Sequence, residues 1–404
     1  MAPRSIPFGL RQVDMGRSFA SWIALAAMLS AATGARAANP AAAPELTVSL
    51  AVEHEAIAQP FPMRAMLRFH NAASHPLWLY RHVRDPMDRA RTAETNQNTP
   101  GATNGGSRLV VHLERAPAPE WSEPPRGAVL ASVDLPHPHM VSLAVGAETT
   151  EGAVIALEPG TVASGGNTQP VWGKYELSVS YQASYSNGDA LSRDLGIDIW
   201  QGEAQSNTVE VDLQPAPPSS SSTVAGKVTN RDGHPLTYIL VSLSDHESHV
   251  LNQMITDIDG AFSFPHLPAD TYWVTGRRVA ATYETAAFEH TDVGTGATSN
   301  IHLVILEPEL YQGKQFWHKP VLLRVTNSAG DPVEGVAIEA LKTNGEVAET
   351  VKGETDATGT AALDLLPGSN YVTLKRRKCP SADSRVDISE GDGIDGQMLQ
   401  MDCK

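Results

Sequence analysis

The sequence predicts an all-β protein: three β-sandwiches in tandem behind an N-terminal signal peptide. Three observations carry this. Past residue 44 the hydrophobic period is two rather than 3.6. A Pro/Ser-rich segment interrupts the alternation near residue 215. The two blocks that follow it repeat one another weakly. With 404 residues, each block has enough chain to bury its own core.

Residues 1–37 read as a secretory leader. Arg4, Arg11 and Arg17 make a basic start, an apolar run extends from Phe19 to Ala32, and Ala35-Arg36-Ala37 has the small-x-small cleavage pattern. The apolar run is about 14 residues, short of the ~20 needed to span a bilayer, so cleavage is favoured over an uncleaved anchor. Losing four Arg and one Asp moves the net charge from −16 to −19. Such a balance keeps a chain soluble and excludes a general nucleic-acid binder, which needs surplus Lys and Arg against phosphate. The expected location is secreted or periplasmic, with no transmembrane segment after cleavage. Cys379 and Cys403 are the only cysteines. In an oxidising compartment they are expected to pair and close a loop of about 25 residues, the alternative being two buried thiols.

The first block is expected over 45–213. Leu46, Val48, Leu50 and Val52 alternate with Thr47, Ser49 and Ala51; Tyr175, Leu177, Val179 and Tyr181 alternate with Glu176, Ser178 and Ser180. Val209, Val211 and Leu213 do the same with Glu210 and Asp212. Side chains on a strand point to opposite faces in turn, so each run is a strand with one buried face and one wet one. Ser186-Asn187-Gly188-Asp189 reads as a turn, Thr95 to Ser107 as a polar Gly-rich loop, and Asp85 to Glu94 as the one helix-compatible stretch. Residues 214–222, with Pro215-Ala216-Pro217-Pro218 followed by four serines, form a stiff-then-flexible linker. The second block then spans 223–308 and the third 319–404, divided by a segment that holds Pro308, Gly313 and Phe316-Trp317.

The repeat is the most specific feature. The second block contains Asp232-Gly233-His234-Pro235, then Thr256-Asp257-Ile258-Asp259-Gly260, then Leu267-Pro268-Ala269-Asp270-Thr271-Tyr272. The third answers with Gly330-Asp331-Pro332, Thr355-Asp356-Ala357-Thr358-Gly359 and Leu366-Pro367-Gly368-Ser369-Asn370-Tyr371. In the shared T-D-x-x-G turn, glycine supplies a positive φ and aspartate caps its own turn. Leu-Pro-x-x-x-Tyr then makes a bend whose aromatic returns to the core, so Tyr272 and Tyr371 are both expected inside. Gly260 to Tyr272 and Gly359 to Tyr371 are equally spaced, twelve residues each.

These residues resemble the carboxypeptidase regulatory-like domain, a transthyretin-like β-sandwich. The resemblance covers most of 223–308. It is partial over 319–404, where Ala361 and Leu363 replace the Phe262/Phe264 pair and an immunoglobulin-like domain is the alternative. The first block is similar only to the broad immunoglobulin-like class, through Trp200-x-Gly202 and Ser206-Asn207-Thr208-Val209. The resemblance implies accessory, scaffold or binding roles and no peptidase chemistry of the module's own.

Catalytic signatures are missing from the sequence. No histidine has Glu three residues on, and His-Glu-x-x-His, Gly-x-Ser-x-Gly and the Walker loop are absent. No cofactor is expected, and the chain is not expected to be an enzyme. Four clusters hold residue types suited to binding chemistry. His137-Pro138-His139-Met140 puts two imidazoles and a thioether together, a set suited to copper, although the flanking prolines fit a plain extended connector. His246-Glu247-Ser248-His249 fits an exposed turn better than a metal site. Asp257-Ile258-Asp259-Gly260 echoes the start of a calcium loop but lacks the later acidic positions. Trp273, pointing outward if Tyr272 points inward, and Trp317 are candidate ligand-binding aromatics for a sugar platform, with Trp121 weighed beside them; packing is the competing reading for each.

The function expected from the sequence is therefore an exported, non-enzymatic binding or scaffold protein. Its partner would be a protein or cell-envelope component, met through loop tips or edge strands. The alternatives are periplasmic copper handling through His137, His139 and Met140, and a carbohydrate-binding accessory module.

Overall fold

The computed structural model describes residues 44–59, 61–80, 106–115, 120–132, 140–216, 220–236, 239–246, 250–278, 286–306, 318–344, 347–389 and 394–403. The expected leader, the helix-compatible stretch at 85–94 and most of the 95–107 loop lie outside them. The rest is an all-β structure, as the alternation predicts.

The first block holds β1 (Leu46–Val52), β2 (Ala56–Ala58), β3 (Met63–Asn71), β4 (Leu77–Tyr80), β5 (Gly106–Glu114), β6 (Arg126–Ser132) and β7 (Met140–Leu143). It continues with β8 (Glu148–Glu158), β9 (Thr161–Ser164), β10 (Asn167–Pro170), β11 (Gly173–Ser184), helix α1 (Gly188–Leu195), β12 (Gly202–Gln205) and β13 (Val209–Gln214). One sheet runs β1-β3-β8-β6; the other runs β12-β11-β13-β2, with β5 along β11. The alternating apolar positions of both meet in one core around Leu67, Ile155, Leu177, Val179 and Leu213.

The second block holds β14 (Ser222–Thr229), β15 (Ile239–Ser244), β16 (Val250–Ile255), β17 (Ala261–Leu267), β18 (Asp270–Arg278), β19 (Ala286–Val293) and β20 (Thr298–Val304). The third holds β21 (Lys319–Thr326), β22 (Ala337–Asn344), β23 (Val347–Glu354), β24 (Thr360–Leu365), β25 (Gly368–Lys375), β26 (Ala382–Ile388) and β27 (Asp395–Gln400). Their sheets correspond strand for strand: β17-β14-β20 matches β24-β21-β27, and β16-β15-β18-β19 matches β23-β22-β25-β26. In both, the last strand runs parallel to the first. Both T-D-x-x-G turns form as their residues require. Gly260 and Gly359 sit at φ of 69° and 73°, and Asp257 and Asp356 each accept backbone N–H bonds from two residues of their own turn.

The equal spacing of the two Leu-Pro bends misleads. Tyr272 is 2% exposed, but Tyr371 is 56% exposed, and the inward position of the third block belongs to Asn370. The cause is a bulge. Between the pairs Ser222↔Leu267 and Val224↔Phe264, β17 carries one residue more than β14, and His266 there has φ of 59°. The extra residue shifts the second bend by one place, so Tyr272 corresponds to Asn370 and Trp273 to Tyr371. The hydrogen bonds agree. Tyr272 donates to the Pro268 carbonyl and the Asn370 amide to the Leu366 carbonyl, both four residues back. Tyr175 makes the same bond to Val171 in the first block.

Of Ser186-Asn187-Gly188-Asp189, expected as a turn, the first two residues make one and Gly188 then opens α1. Leu191 and Leu195, four apart, bury one side of this short helix. They pack on Gly396 of β27, where an added Cβ would meet both leucines. The Asn187 amide donates to the Ile394 carbonyl at 2.8 Å. Leu322 and Ile394 belong to the first block's core, so the first and third blocks are packed together rather than strung apart. Among the described residues no helix is long and apolar enough to cross a membrane.

Candidate binding surface

Tyr272 and Trp273 are neighbours on β18 and face opposite ways. With Tyr272 tied into the core, Trp273 stands on the outer face of its sheet, 36% exposed. Antiparallel register places His290 of β19 directly across from it, and Phe288 across from Thr275. The Trp273 ring lies 5.3 Å from the His290 ring and 6.1 Å from Phe288, centroid to centroid. Phe288 is 66% exposed. Thr271 and Asp292 close the row with a 2.6 Å hydrogen bond. Toward β16 the same face is shut: Leu240 and Gln253 are buried, and the Gln253 amide donates to the Ser242 hydroxyl at 2.7 Å. What remains open is the β18–β19 half, an aromatic strip beside an edge strand.

The corresponding face of the third block shows that the fold does not require such a strip. There Lys375 pairs with Glu339 at 3.0 Å, Arg385 with Asp387 at 3.0 Å, and Thr373 donates to Asp383 at 2.8 Å. The Lys375 hydrogen bond holds the Glu339 carboxyl below its ordinary value. Hydrogen bonds from Ser369 and then Arg385 do the same for Asp387. That face is a solvated lattice of charge pairs from which Tyr371 projects. One fold thus presents water-compatible pairs in one copy and a row of clustered aromatic rings in the other.

The remaining sequence candidates scatter. Trp317, His137, His139 and His249 lie outside the described residues. Met140 is 1% exposed, in the first core on β7. Trp121 stacks on Tyr175 at 6.4 Å, which is the packing reading. The Asp257–Gly260 segment is the hydrogen-bonded turn already described, with Ile258 exposed at its tip. Among the described residues no group of three or more His, Cys, Asp or Glu is placed to hold a metal ion. Cys379 and Cys403 form a disulfide, Cα atoms 5.2 Å apart, joining the end of β27 to the turn after β25. Phe288 and His290 were missed in the sequence. Their alternation with Ala287 and Glu289 was readable, but only the register shows that they meet Trp273.

Residues 223–306 match the carboxypeptidase regulatory-like domain. No curated protein matches the chain. Among solved structures the chain is similar to the Bacillus anthracis TIE protein, at 12% identity and a TM-score of 0.21 over 90% of this chain and 59% of that one. It is similar to GBS52, the minor pilin of Streptococcus agalactiae, at 15% identity and a TM-score of 0.21 over 45% of this chain and 96% of that one. BcpA, the major pilin subunit of Bacillus cereus, gives 11% identity and a TM-score of 0.18 over 65% of this chain and 71% of that one. The chain spans 59% of the TIE protein's length. Similarity this low leaves any functional argument to the residues of this chain.

Proposed function

We propose that this is an exported, non-enzymatic binding or scaffold protein, secreted or periplasmic, which meets a protein partner of the cell envelope through its second β-sandwich. The observation that carries the reading is the exposed Trp273–His290–Phe288 strip, on a face that the third block fills with charge pairs. Exposed aromatics held rigid on a sheet lose little side-chain entropy on binding and bury much apolar area, which makes them interface anchors. The blocks 45–213, 223–308 and 319–404, with 214–222 as linker, are its domains in this reading.

The test is chemical cross-linking in cells that carry the tagged chain, followed by mass spectrometry, with the Trp273→Ala/Phe288→Ala double variant in parallel. A discrete envelope protein captured by the wild type and lost from the equally abundant double variant is the expected result. Identical capture by both would contradict it. So would a wild type that captures nothing after verified export.

A further inference from the structure

Resting on that reading of the surface, we infer that β19 receives an extended, basic segment of the partner protein as an added strand, whose side chains then lie along the aromatic strip. A strand at a sheet edge offers the N–H and C=O of every second residue to a further strand, and proteins ordinarily blunt such edges with proline, lysine, bulges or cover. Several other edges here are blunted, while β20, β24 and β27 share with β19 an unbroken register against their neighbours but not its outward aromatic row. β17 carries Pro265 and the bulge at His266. β16 and β6 are bulged against their partners. At β1, the Asn207 side chain occupies both the N–H and the C=O of Leu50. Among the described residues, β19 has none of these. It runs eight residues in unbroken register with β18, contains neither Pro nor Lys, and among the described residues pairs on one side only.

The residues of β19 also specify what suits it. Its outward row is Phe288, His290 and Asp292, and the opposite row includes the exposed Glu289. Directly opposed side chains of a strand pair interact, so the incoming strand gains from an apolar residue beside Phe288 and from Lys or Arg beside Asp292 and Glu289. The net charge of −16 favours a basic segment and opposes a second copy of this chain in the same place.

The experiment pans a random-peptide phage library on the purified full chain, then scans one enriched peptide by N-methylating each backbone nitrogen in turn. The protein is untouched in that scan, so its folding is not in question. Enriched peptides should carry Lys or Arg one and four positions from an apolar residue. N-methylation should lower affinity by about tenfold or more at every second position and little between, because only alternate N–H groups face β19. Phe288→Lys, an exposed substitution, should abolish binding while leaving the unfolding midpoint unchanged. A scan without period two, binding indifferent to Phe288→Lys, a library with no enrichment, self-association through β19 by light scattering, or capture of glycans instead of peptides each overturns the inference. If cellular capture still depends on Trp273 and Phe288 in any of those cases, the proposed function stands and the added strand alone falls.

Discussion

Two tyrosines that end the same sequence motif have opposite environments. Tyr272 is buried with its hydroxyl on Pro268, whereas Tyr371 projects into solvent. Tyr272→Ala should cost about 3–5 kcal/mol in urea unfolding, as for other large buried aromatics. Tyr371→Ala should stay within about 0.5 kcal/mol, the usual range for a surface change. Asn370→Ala should cost about 1–3 kcal/mol by leaving the Leu366 and Gly368 carbonyls without their donor. Equal losses at 272 and 371 would refute the one-residue shift. Burial, with Asp270 adding to it, pushes the Tyr272 hydroxyl up to about 12. Its folded value thus lies above the unfolded one, so its contribution to stability is intact below about pH 10 and is lost as pH rises beyond that. Unfolding midpoints measured from pH 8 to 11.5 should fall above pH 10, and less so in Tyr272→Phe. At this scale the inward place of Tyr272 and the outward turn of Trp273 were legible. The place of Tyr371 was not, because a bulge consumes one residue without leaving any mark on the spacing.

At the scale of elements, the last strand of the third block is fastened to its first by an enclosed ion pair. At the start of β27, Asp395 meets the Lys319 ammonium at 3.0 Å, and Ser389 bridges them. The Lys319 side chain is almost wholly enclosed. Removing one partner of an enclosed pair strands the other charge, so Lys319→Met should destabilise by about 3 kcal/mol. In the second block, Gly226 lies so close to β20 that an added Cβ would meet the Ile301 carbonyl oxygen at 2.0 Å. Gly226→Ala should therefore separate β14 from β20 and cost about 1–3 kcal/mol or more, read as early hydrogen exchange along β20. The strands themselves were visible in period-two alternation. Helix α1 was hidden because Asn-Gly-Asp starts helices and turns alike, and eight residues carry too little periodicity to separate the two.

For the whole molecule, the repeat of the second and third blocks was readable from their shared turns. The common core of the first and third was not, since Leu322 and Ile394 reveal their neighbours only in three dimensions. The Cys379–Cys403 bond closes a loop of about 25 residues, and reducing it should lower stability by roughly 3.5 kcal/mol on the chain-entropy model. That loss should appear as a shifted unfolding transition in dithiothreitol, absent from a Cys379→Ser/Cys403→Ser variant. The binding surface is a property of this scale too: it exists because one copy of a repeated fold holds aromatic residues where the other holds ion pairs. The most direct test places a photo-reactive phenylalanine analogue at position 288 and, in a second chain, at 371, the outward aromatic of the third block. Irradiation of living cells should yield a discrete heavier adduct from position 288 and none from 371. No adduct at 288, or equal labelling from both sites, would contradict the account.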